Sequence, residues 1–257
     1  MKNNIKRKVT LIGAGPGDPD LITVKGVKAL KQAKVVLYDA LINRELLEYA
    51  PTAKKIFVGK RKGYHRFSQD KINELIVKSA LEFENVVRLK GGDPFIFGRG
   101  SEEVDYIESF GIETEVISGI SSSMAVPASQ GISLTKRGVS ESFWVITGTT
   151  TEKNLSNDVY LAAQSTATVV ILMGMSKLNQ IVSIFKQFEK EDVPTVIIQN
   201  GTTKNEKLGL GTISTIEEVV AQKKLSSPAI IVIGEVVKES SKLRSFYQSL
   251  NLVEHQY

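Results

Sequence analysis

The first half of the chain alternates short apolar runs with stretches of helical periodicity. β-rich apolar runs predict strands at residues 9–12, 35–38, 55–58, 86–89 and 114–117. Apolar residues three and four positions apart predict helices between them, at residues 23–32, 45–49, 69–82 and 101–110. Because strands covered on both faces read as continuous apolar runs, this pattern predicts a mainly parallel sheet flanked by helices.

The second half begins with a stretch rich in Ser, Gly and small apolar residues, within which we predict a short helix at residues 121–130. Strands are predicted at residues 143–147, 169–173, 196–199, 209–213 and 229–237, and helices at residues 178–188 and 216–224. The run at 209–213, followed by one helix and another strand, indicates a mixed sheet. The pattern therefore predicts two α/β domains, residues 1–120 and 121–240, followed by a tail at 241–257 that is expected to be helical.

Glycine and charged residues are concentrated where the predicted strands of the first domain end. Residues 13–18 follow the first strand, and residues 91–100, with four glycines, follow the fourth. Asp39 ends the second strand, Gly59 follows the third, and Ser118 follows the fifth. Glycine permits close approach of the main chain to a ligand, and ligands of parallel sheets bind at the carboxyl ends of the strands. These loops therefore predict a binding cleft at one edge of the sheet.

Composition narrows the chemistry of this cleft. The chain has no cysteine, which excludes disulfides, thiolate metal sites and cysteine nucleophiles, and its two histidines are too few for a histidine-based metal site. It shows no signal peptide and no apolar stretch of about 18 residues, so we expect a cytoplasmic protein without a membrane partner. The net charge of +5 suits a negatively charged ligand. Since the lysines are scattered, apart from those in the basic stretch 60–66, a small polyanion is favoured over nucleic acid.

A dinucleotide site is one alternative for the first loop. Gly13 and Gly15 match the first two glycines of the G-x-G-x-x-G pattern, and Asp39 lies where a ribose-binding acid is expected. However, Asp18 occupies the place of the third glycine, and its charge would repel phosphates. Pro16 lacks the N–H that a pyrophosphate would use. The loop therefore disfavours NAD.

Between residues 8 and 237, the order and spacing of several motifs resemble the tetrapyrrole methylase family, and within it the members that methylate uroporphyrinogen III. The motifs are Val-Thr-Leu-Ile-Gly-Ala-Gly-Pro-Gly-Asp-Pro-Asp-Leu-Ile-Thr (9–23), Val-Leu-Tyr-Asp-Ala (36–40), Val-Gly-Lys-Arg (58–61), Arg-Leu-Lys-Gly-Gly-Asp-Pro-Phe-Ile-Phe-Gly-Arg-Gly (88–100), Gly-Ile-Ser-Leu-Thr (131–135), Gln-Asn-Gly-Thr-Thr (199–203) and Ser-Pro-Ala (227–229).

The resemblance implies a two-domain methyltransferase with its active cleft between the domains, usually a homodimer. It implies S-adenosylmethionine as methyl donor, S-adenosylhomocysteine as product, and a small-molecule tetrapyrrole as substrate. The implied reaction is two successive methylations of uroporphyrinogen III to precorrin-2, which feeds siroheme or cobalamin synthesis. Because no dehydrogenase or chelatase segment precedes the match, the chain is expected to methylate only.

The resemblance also assigns site residues. The cofactor contacts carried onto matching positions are Pro16, Gly91, Gly92, Asp93, Ile96, Ser121, Ser122, Met173 and Gly201. Asp39 matches the proposed proton acceptor of the family, and Lys60 its proposed proton donor. An unperturbed lysine pKa near 10.4 makes an acid role costly, so the residue chemistry favours binding of a substrate carboxylate by Lys60. The sequence departs from the family pattern at Lys136 and Thr149, where histidine is frequent, and at Leu172, where tyrosine is common.

A polycarboxylate substrate directs attention to the arginines. Arg99, between two glycines, can present a bidentate fork to a carboxylate, and Arg61 and Arg137 are further substrate-binding candidates. Structural interpretations compete with the functional ones. Arg99 could form a local salt bridge, Asp39 a helix N-cap, Asp93 an Asx turn, and Met173 part of a core.

The alternative functions are a methylase of later corrin intermediates, a nucleotide-dependent oxidoreductase and a non-catalytic anion-binding protein.

Overall fold

The protein divides into two compact units, Met1–Ser121 and Ser122–Tyr257. The structure, a computed structural model, describes residues 7–59 and 67–248. Each unit is built around its own five-stranded sheet with helices packed against it. Among the helices of these described ranges, none combines the length and apolar character that crossing a bilayer requires.

The first unit contains a parallel sheet in the order β3-β2-β4-β1-β5. Its strands are β1 (Lys8–Gly13), β2 (Val35–Tyr38), β3 (Lys54–Phe57), β4 (Asn85–Lys90) and β5 (Glu113–Ile117). The helices are α1 (Val24–Gln32), α2 (Gln69–Glu82) and α3 (Gly100–Glu108), with 3₁₀ turns at Pro19–Leu21 and Arg44–Tyr49. Because every pairing is parallel, the carboxyl ends of all these strands lie at one edge.

Side-chain alternation along β4 explains how this sheet is covered on both faces. Val87 and Leu89 point into a cluster that includes Leu30 of α1, whereas Val86 points into the opposite cluster with Ile76 of α2 and Ile107 of α3. Hydroxyl caps begin the first two helices. Thr23 Oγ1 accepts the Gly26 N–H at 3.1 Å, and Ser68 Oγ accepts that of Lys71 at 3.2 Å.

The second unit contains a mixed sheet in the order β6-β7-β10-β8-β9. Its strands are β6 (Phe143–Thr147), β7 (Thr168–Leu172), β8 (Pro194–Gln199), β9 (Lys207–Thr212) and β10 (Ala229–Ile233). Only β6 and β7 pair in parallel, and the other pairings are antiparallel. The helices are α4 (Ser122–Ser129), α5 (Asp158–Gln164), α6 (Leu178–Gln187) and α7 (Ile216–Lys223). The predicted α/β class, with one parallel and one mixed sheet, is confirmed.

The structure corrects one predicted element of the second unit and adds another. The strand predicted at 229–237 ends at Ile233, because Gly234 adopts φ 148° and a 3₁₀ turn, Glu235–Val237, follows. Val236 and Val237 are nevertheless buried, which explains why the apolar run in the sequence extends beyond the end of the strand. The seven-residue helix α5 was not predicted. Of the tail, residues 244–248 are helical, and the rest, from residue 249, lies outside the described residues.

Candidate functional site

The glycine loops after β1 and β4 are joined by main-chain hydrogen bonds. Gly15 and Gly92 exchange two of them: the Gly15 N–H donates to Gly92 O at 3.2 Å, and the Gly92 N–H donates to Gly15 O at 2.9 Å. The Ala14 N–H also donates to Lys90 O at 2.7 Å. Gly15 and Gly92 have φ of 73° and 68°, which L-residues with a side chain rarely adopt. Glycine is therefore required for this pairing.

A third loop, after β5, packs directly onto the first two. A Cβ placed on Gly13 would collide with the main chain of Gly119 and lie 2.7 Å from Gly92 O. A Cβ on Gly119 would collide with the same carbonyl oxygen. These neighbours are backbone atoms that no rotamer change can move. The three glycines thus allow the loops of adjacent parallel strands to touch at the sheet edge, as the sequence predicted.

Asp93 fastens the β4 loop to the β5 loop. Its Oδ1 accepts the Phe95 N–H at 2.8 Å, which is the predicted Asx turn, and its Oδ2 accepts the Gly119 N–H at 3.0 Å. Around this junction lie the proposed cofactor residues of the first unit: Pro16, Gly91, Gly92, Asp93, Ile96 and Ser121. Pro16 and Ser121 are buried, Gly91 and Gly92 are half-buried, and Ile96 is 45% exposed. The structure therefore brings these six residues to one edge of the first sheet.

Asp39 lies at the same edge, at the end of β2. Its Oδ1 accepts the Leu41 N–H at 3.0 Å, and its Oδ2 accepts the Gly91 N–H at 3.3 Å. The interpretation of Asp39 as a helix N-cap is wrong, because Asn43 caps the following 3₁₀ turn. The carboxylate of Asp39 is 24% exposed and is tied to the first residue of the proposed cofactor loop.

A buried cluster of charged side chains, which the sequence patterns did not predict, lies behind Asp39. Glu103 of α3 is fully buried, and its carboxylate accepts Arg88 Nε at 3.3 Å and Lys90 Nζ at 3.0 Å. Gln69 Nε2 donates to the same carboxylate at 3.1 Å. Burial and the adjacent Arg88 lower the pKa of Lys90, and Glu103 opposes that shift. The sequence does contain one signal for this cluster: two basic residues, Arg88 and Lys90, alternate with Val87 and Leu89 inside a central strand.

Arg99 forms a local salt bridge, as in the structural alternative to its predicted role in substrate binding. Its guanidinium contacts both carboxylate oxygens of Glu102, with Nε at 2.9 and 3.1 Å. This hydrogen bonding raises the pKa of Arg99 and lowers that of Glu102. Arg99 has φ 58° and immediately precedes α3, and its side chain is about half exposed. A substrate carboxylate would therefore compete with Glu102 for the guanidinium.

In the second unit, Met173 follows β7 and is not a core residue. It is 50% exposed and has φ 56°, a left-handed conformation that is uncommon outside glycine. Thr149 Oγ1 donates to Met173 O at 2.9 Å, and the Gly148 N–H donates to Leu172 O at 2.6 Å. Thr149 thus fixes the main chain of a proposed cofactor residue.

The turn after β8 holds Gly201 between two left-handed residues. Asn200 has φ 51° and Thr202 has φ 64°. Glu206 fixes this turn, because one carboxylate oxygen accepts the Thr202 N–H at 2.8 Å and the other accepts Gln130 Nε2 at 2.6 Å. β6, β7 and β8 run in the same direction, so Met173 and Gly201 both follow carboxyl ends at one edge of the second sheet.

The remaining predicted site residues are distributed as follows. Ser122 begins α4, and Arg137 is exposed in the tight turn closed by the bridge between Lys136 and Ser140. Lys136 pairs with Glu239. Lys60 and Arg61 lie outside the described residues. Within residues 7–59 and 67–248, no three His, Asp or Glu side chains form a potential metal site.

Comparisons with known proteins agree with this architecture. A family model described as "Tetrapyrrole (Corrin/Porphyrin) Methylases" matches residues 8–217. A uroporphyrinogen-III C-methyltransferase of Methanocaldococcus jannaschii is 49% identical over 233 residues, which cover 90% of this chain and 96% of the relative.

Two of the similar solved structures match most of the chain. One is the uroporphyrin-III C-methyl transferase of Thermus thermophilus complexed with S-adenyl homocysteine, with a TM-score of 0.77, 34% identity, and coverage of 90% of this chain and 99% of that one. The other is a cobalamin biosynthetic enzyme, cobalt precorrin-4 methyltransferase, with a TM-score of 0.80, 26% identity, and coverage of 92% and 98%.

Proposed function

The chain belongs to the family of tetrapyrrole (corrin/porphyrin) methylases, and we propose that it is an S-adenosylmethionine-dependent C-methyltransferase acting on uroporphyrinogen III. The observation that carries this proposal is the junction of the β1, β4 and β5 loops. Six residues that match the cofactor contacts of the family lie in those three loops. Main-chain hydrogen bonds connect the β1 and β4 loops, and the Asp93 carboxylate connects the β4 loop to the β5 loop. The 49% identical relative named for this activity supports the substrate class.

The residues at this junction fit a cofactor that has both polar and apolar parts. Gly91 and Gly92 are half-buried and lack side chains, so part of their main chain is accessible at this edge, while Leu41 occupies the position that a Cβ of Gly91 would need. Ile96, in the β4 loop, offers an exposed apolar side chain. When bound, S-adenosylmethionine supplies an electrophilic methyl group. The role of the chain is to align the acceptor carbon with that methyl group and to exclude water.

After a pyrrole carbon accepts a methyl group, the ring carries a positive charge and must release a proton. Asp39 is our candidate acceptor, because its partly exposed carboxylate lies at the end of β2 and contacts Gly91. Arg99 and Arg137 are proposed to bind substrate carboxylates, with Lys60 and Arg61 as further candidates from the sequence.

The finer features of the proposal follow from family membership. We infer that two successive methylations give precorrin-2, for siroheme or cobalamin synthesis. The cofactor set is completed by Ser122, Met173 and Gly201 of the second unit. The enzyme is proposed to work in the cytoplasm as a homodimer.

A turnover assay tests the function. The protein is incubated anaerobically with uroporphyrinogen III and S-adenosylmethionine carrying a labelled methyl group, and the products are identified by mass spectrometry. We expect a tetrapyrrole that has gained two labelled methyl groups. Failure to label uroporphyrinogen III, with S-adenosylhomocysteine still bound, would refute the substrate assignment.

A methylase of later corrin intermediates is the second candidate, supported by the TM-score of 0.80 to the precorrin-4 enzyme. The lower identity to that enzyme, 26% against 49% for the uroporphyrinogen relative, favours the first assignment. The same assay with a corrin intermediate as acceptor separates the two, because the first assignment predicts that label enters uroporphyrinogen III and not the later intermediate.

A further inference from the structure

The buried cluster behind the edge of the first sheet has more positive than negative residues. Arg88 and Lys90 are 3% and 4% exposed and share the single carboxylate of the fully buried Glu103. Counted formally, these three side chains carry one excess positive charge. Asp39 balances it, because its Oδ2 lies 3.9 Å from a terminal guanidinium nitrogen of Arg88. The fourth charge of the cluster is therefore the proposed proton acceptor.

Arg88 is held in a single orientation by its other contacts. Its Nε donates to Glu103 at 3.3 Å, and its Nη1 donates to the carbonyl oxygen of Leu89 at 3.0 Å. Because the guanidinium group is planar and rigid, these two contacts determine where Nη2 points. It faces Asp39 Oδ2, the same oxygen that accepts the Gly91 N–H.

Stability of the fold does not by itself require this arrangement. Replacing a buried ion-pair cluster by apolar side chains of similar volume is often neutral or stabilising. Both faces of β4 lie against apolar clusters, so apolar side chains at positions 88 and 90 would have neighbours to pack against. A role at the sheet edge explains the charged residues better than packing does.

We propose that Arg88 is a positioning residue for methyl transfer, which holds the Asp39 carboxylate against the Gly91 main chain at the edge of the sheet. Glu103 acts through Arg88 by fixing its guanidinium, and Lys90 balances the buried carboxylate. The inference rests on the proposed function, because it takes Asp39 as the group that meets the substrate. It adds Arg88 to the proposed mechanism as a residue that does not contact the substrate.

A double-mutant cycle tests the inference. Asp39→Asn, Arg88→Met and the double variant are compared with the wild type in methylation of uroporphyrinogen III, and kcat and KM are measured separately. Arg88→Met leaves Lys90 and Glu103 as a balanced pair, so we expect it to fold. We expect kcat to fall at least tenfold in Arg88→Met, with an unchanged dissociation constant for S-adenosylhomocysteine. The double variant should be no slower than Asp39→Asn, because Arg88 acts only through Asp39.

Val86→Ala is the matched control, since it removes buried side-chain volume from the same face of β4, two residues away, and Val86 lies in the apolar cluster rather than among the charged side chains. We expect its kcat to stay within threefold of the wild type. If Arg88→Met does not fold, Arg88→Lys replaces it in the cycle, because lysine keeps the charge but lacks the rigid fork that faces Asp39.

Two kinds of result overturn the proposal and can be told apart. Effects of Arg88 and Asp39 substitutions that multiply, or an equal loss in Val86→Ala, would assign the cluster to the fold while leaving the methyltransferase function intact. Absence of any methylation by the wild type would refute the proposed function, and the positioning role with it.

Discussion

The two sheet edges reach similar loop structures by different means. In the first unit, the β1 and β4 loops use glycine where they meet, and Gly15, Gly17 and Gly92 have the left-handed conformation; Phe97 and Arg99 adopt it as well, farther along the β4 loop. In the second unit, the turns after β7 and β8 use side-chain-bearing residues in the same conformation, Met173 and Thr202 among them. These turns are held by Thr149 and Glu206.

The difference separates two ways of forming a loop at a proposed site. Glycine carries no penalty for a positive φ, so the first edge depends on close main-chain contact that any side chain would disrupt. A methionine or threonine at positive φ stores strain that surrounding hydrogen bonds must overcome. The first edge should therefore fail when side chains are added, and the second should relax when they are removed.

Gly13→Ala should give the largest effect. The new Cβ would meet the main chain of Gly119 and Gly92, which cannot move aside, so we expect a loss of about 3 kcal/mol in the free energy of unfolding. Urea denaturation measures it. Gly111→Ala serves as the control: nothing lies within 4 Å of its Cβ position, so only its φ of 70° penalises the side chain, by about 1 kcal/mol. Equal losses in the two variants would show that the contact among the three loops is not tight.

Gly92→Val should weaken cofactor binding. Its φ of 68° is strained for a β-branched residue, and the pairing with Gly15 would be distorted. We expect the dissociation constant of S-adenosylhomocysteine to rise about tenfold, or 1.4 kcal/mol, as measured by calorimetry. Gly111→Val is matched in conformation, with φ 70°, but lies before β5, at the opposite edge. Wild-type affinity in Gly92→Val would remove this loop from the site.

Glu206→Gln should loosen the second edge. The amide keeps one acceptor oxygen, so either the Thr202 N–H or Gln130 Nε2 loses its partner, and we expect a cost of about 1 kcal/mol in unfolding free energy. Glu218→Gln, an exposed change on α7, is the control and should cost less. Hydrogen exchange of the Thr202 amide provides the local measurement, and unchanged protection there would contradict the role of Glu206.

Met173→Gly should give the smallest change in stability, and in the opposite direction. Glycine relieves the strain of the left-handed conformation, but it also loses more conformational entropy on folding. The balance predicts a gain of about 0.5 kcal/mol in unfolding free energy. Lys224→Gly, at the left-handed end of α7, should gain a similar amount. Only Met173→Gly should also weaken S-adenosylhomocysteine binding. A destabilised Met173→Gly beside a stabilised Lys224→Gly would show that the methionine side chain packs more than its exposure indicates.

The sequence predicted the first edge more fully than the second, for a physical reason. Several glycines clustered at strand ends are typical of close main-chain approach, so the loops at 13–17 and 91–92 could be recognised directly. The conformation of Met173 depends on tertiary contacts such as that with Thr149, which no local pattern reveals. The partnership of Arg88, Lys90 and Glu103 depends on how α3 packs against β4, and only the position of two basic residues inside an apolar strand hinted at it.

Hydrogen exchange with and without S-adenosylhomocysteine tests the central claim most directly, namely that these strand-end loops bind the methyl donor. We predict that the ligand slows exchange at the amides of Gly91 and Gly92 in the first unit and of Met173 and Gly201 in the second, while Gly111 is unaffected. Bound ligand that leaves the exchange of all four amides unchanged would contradict the account.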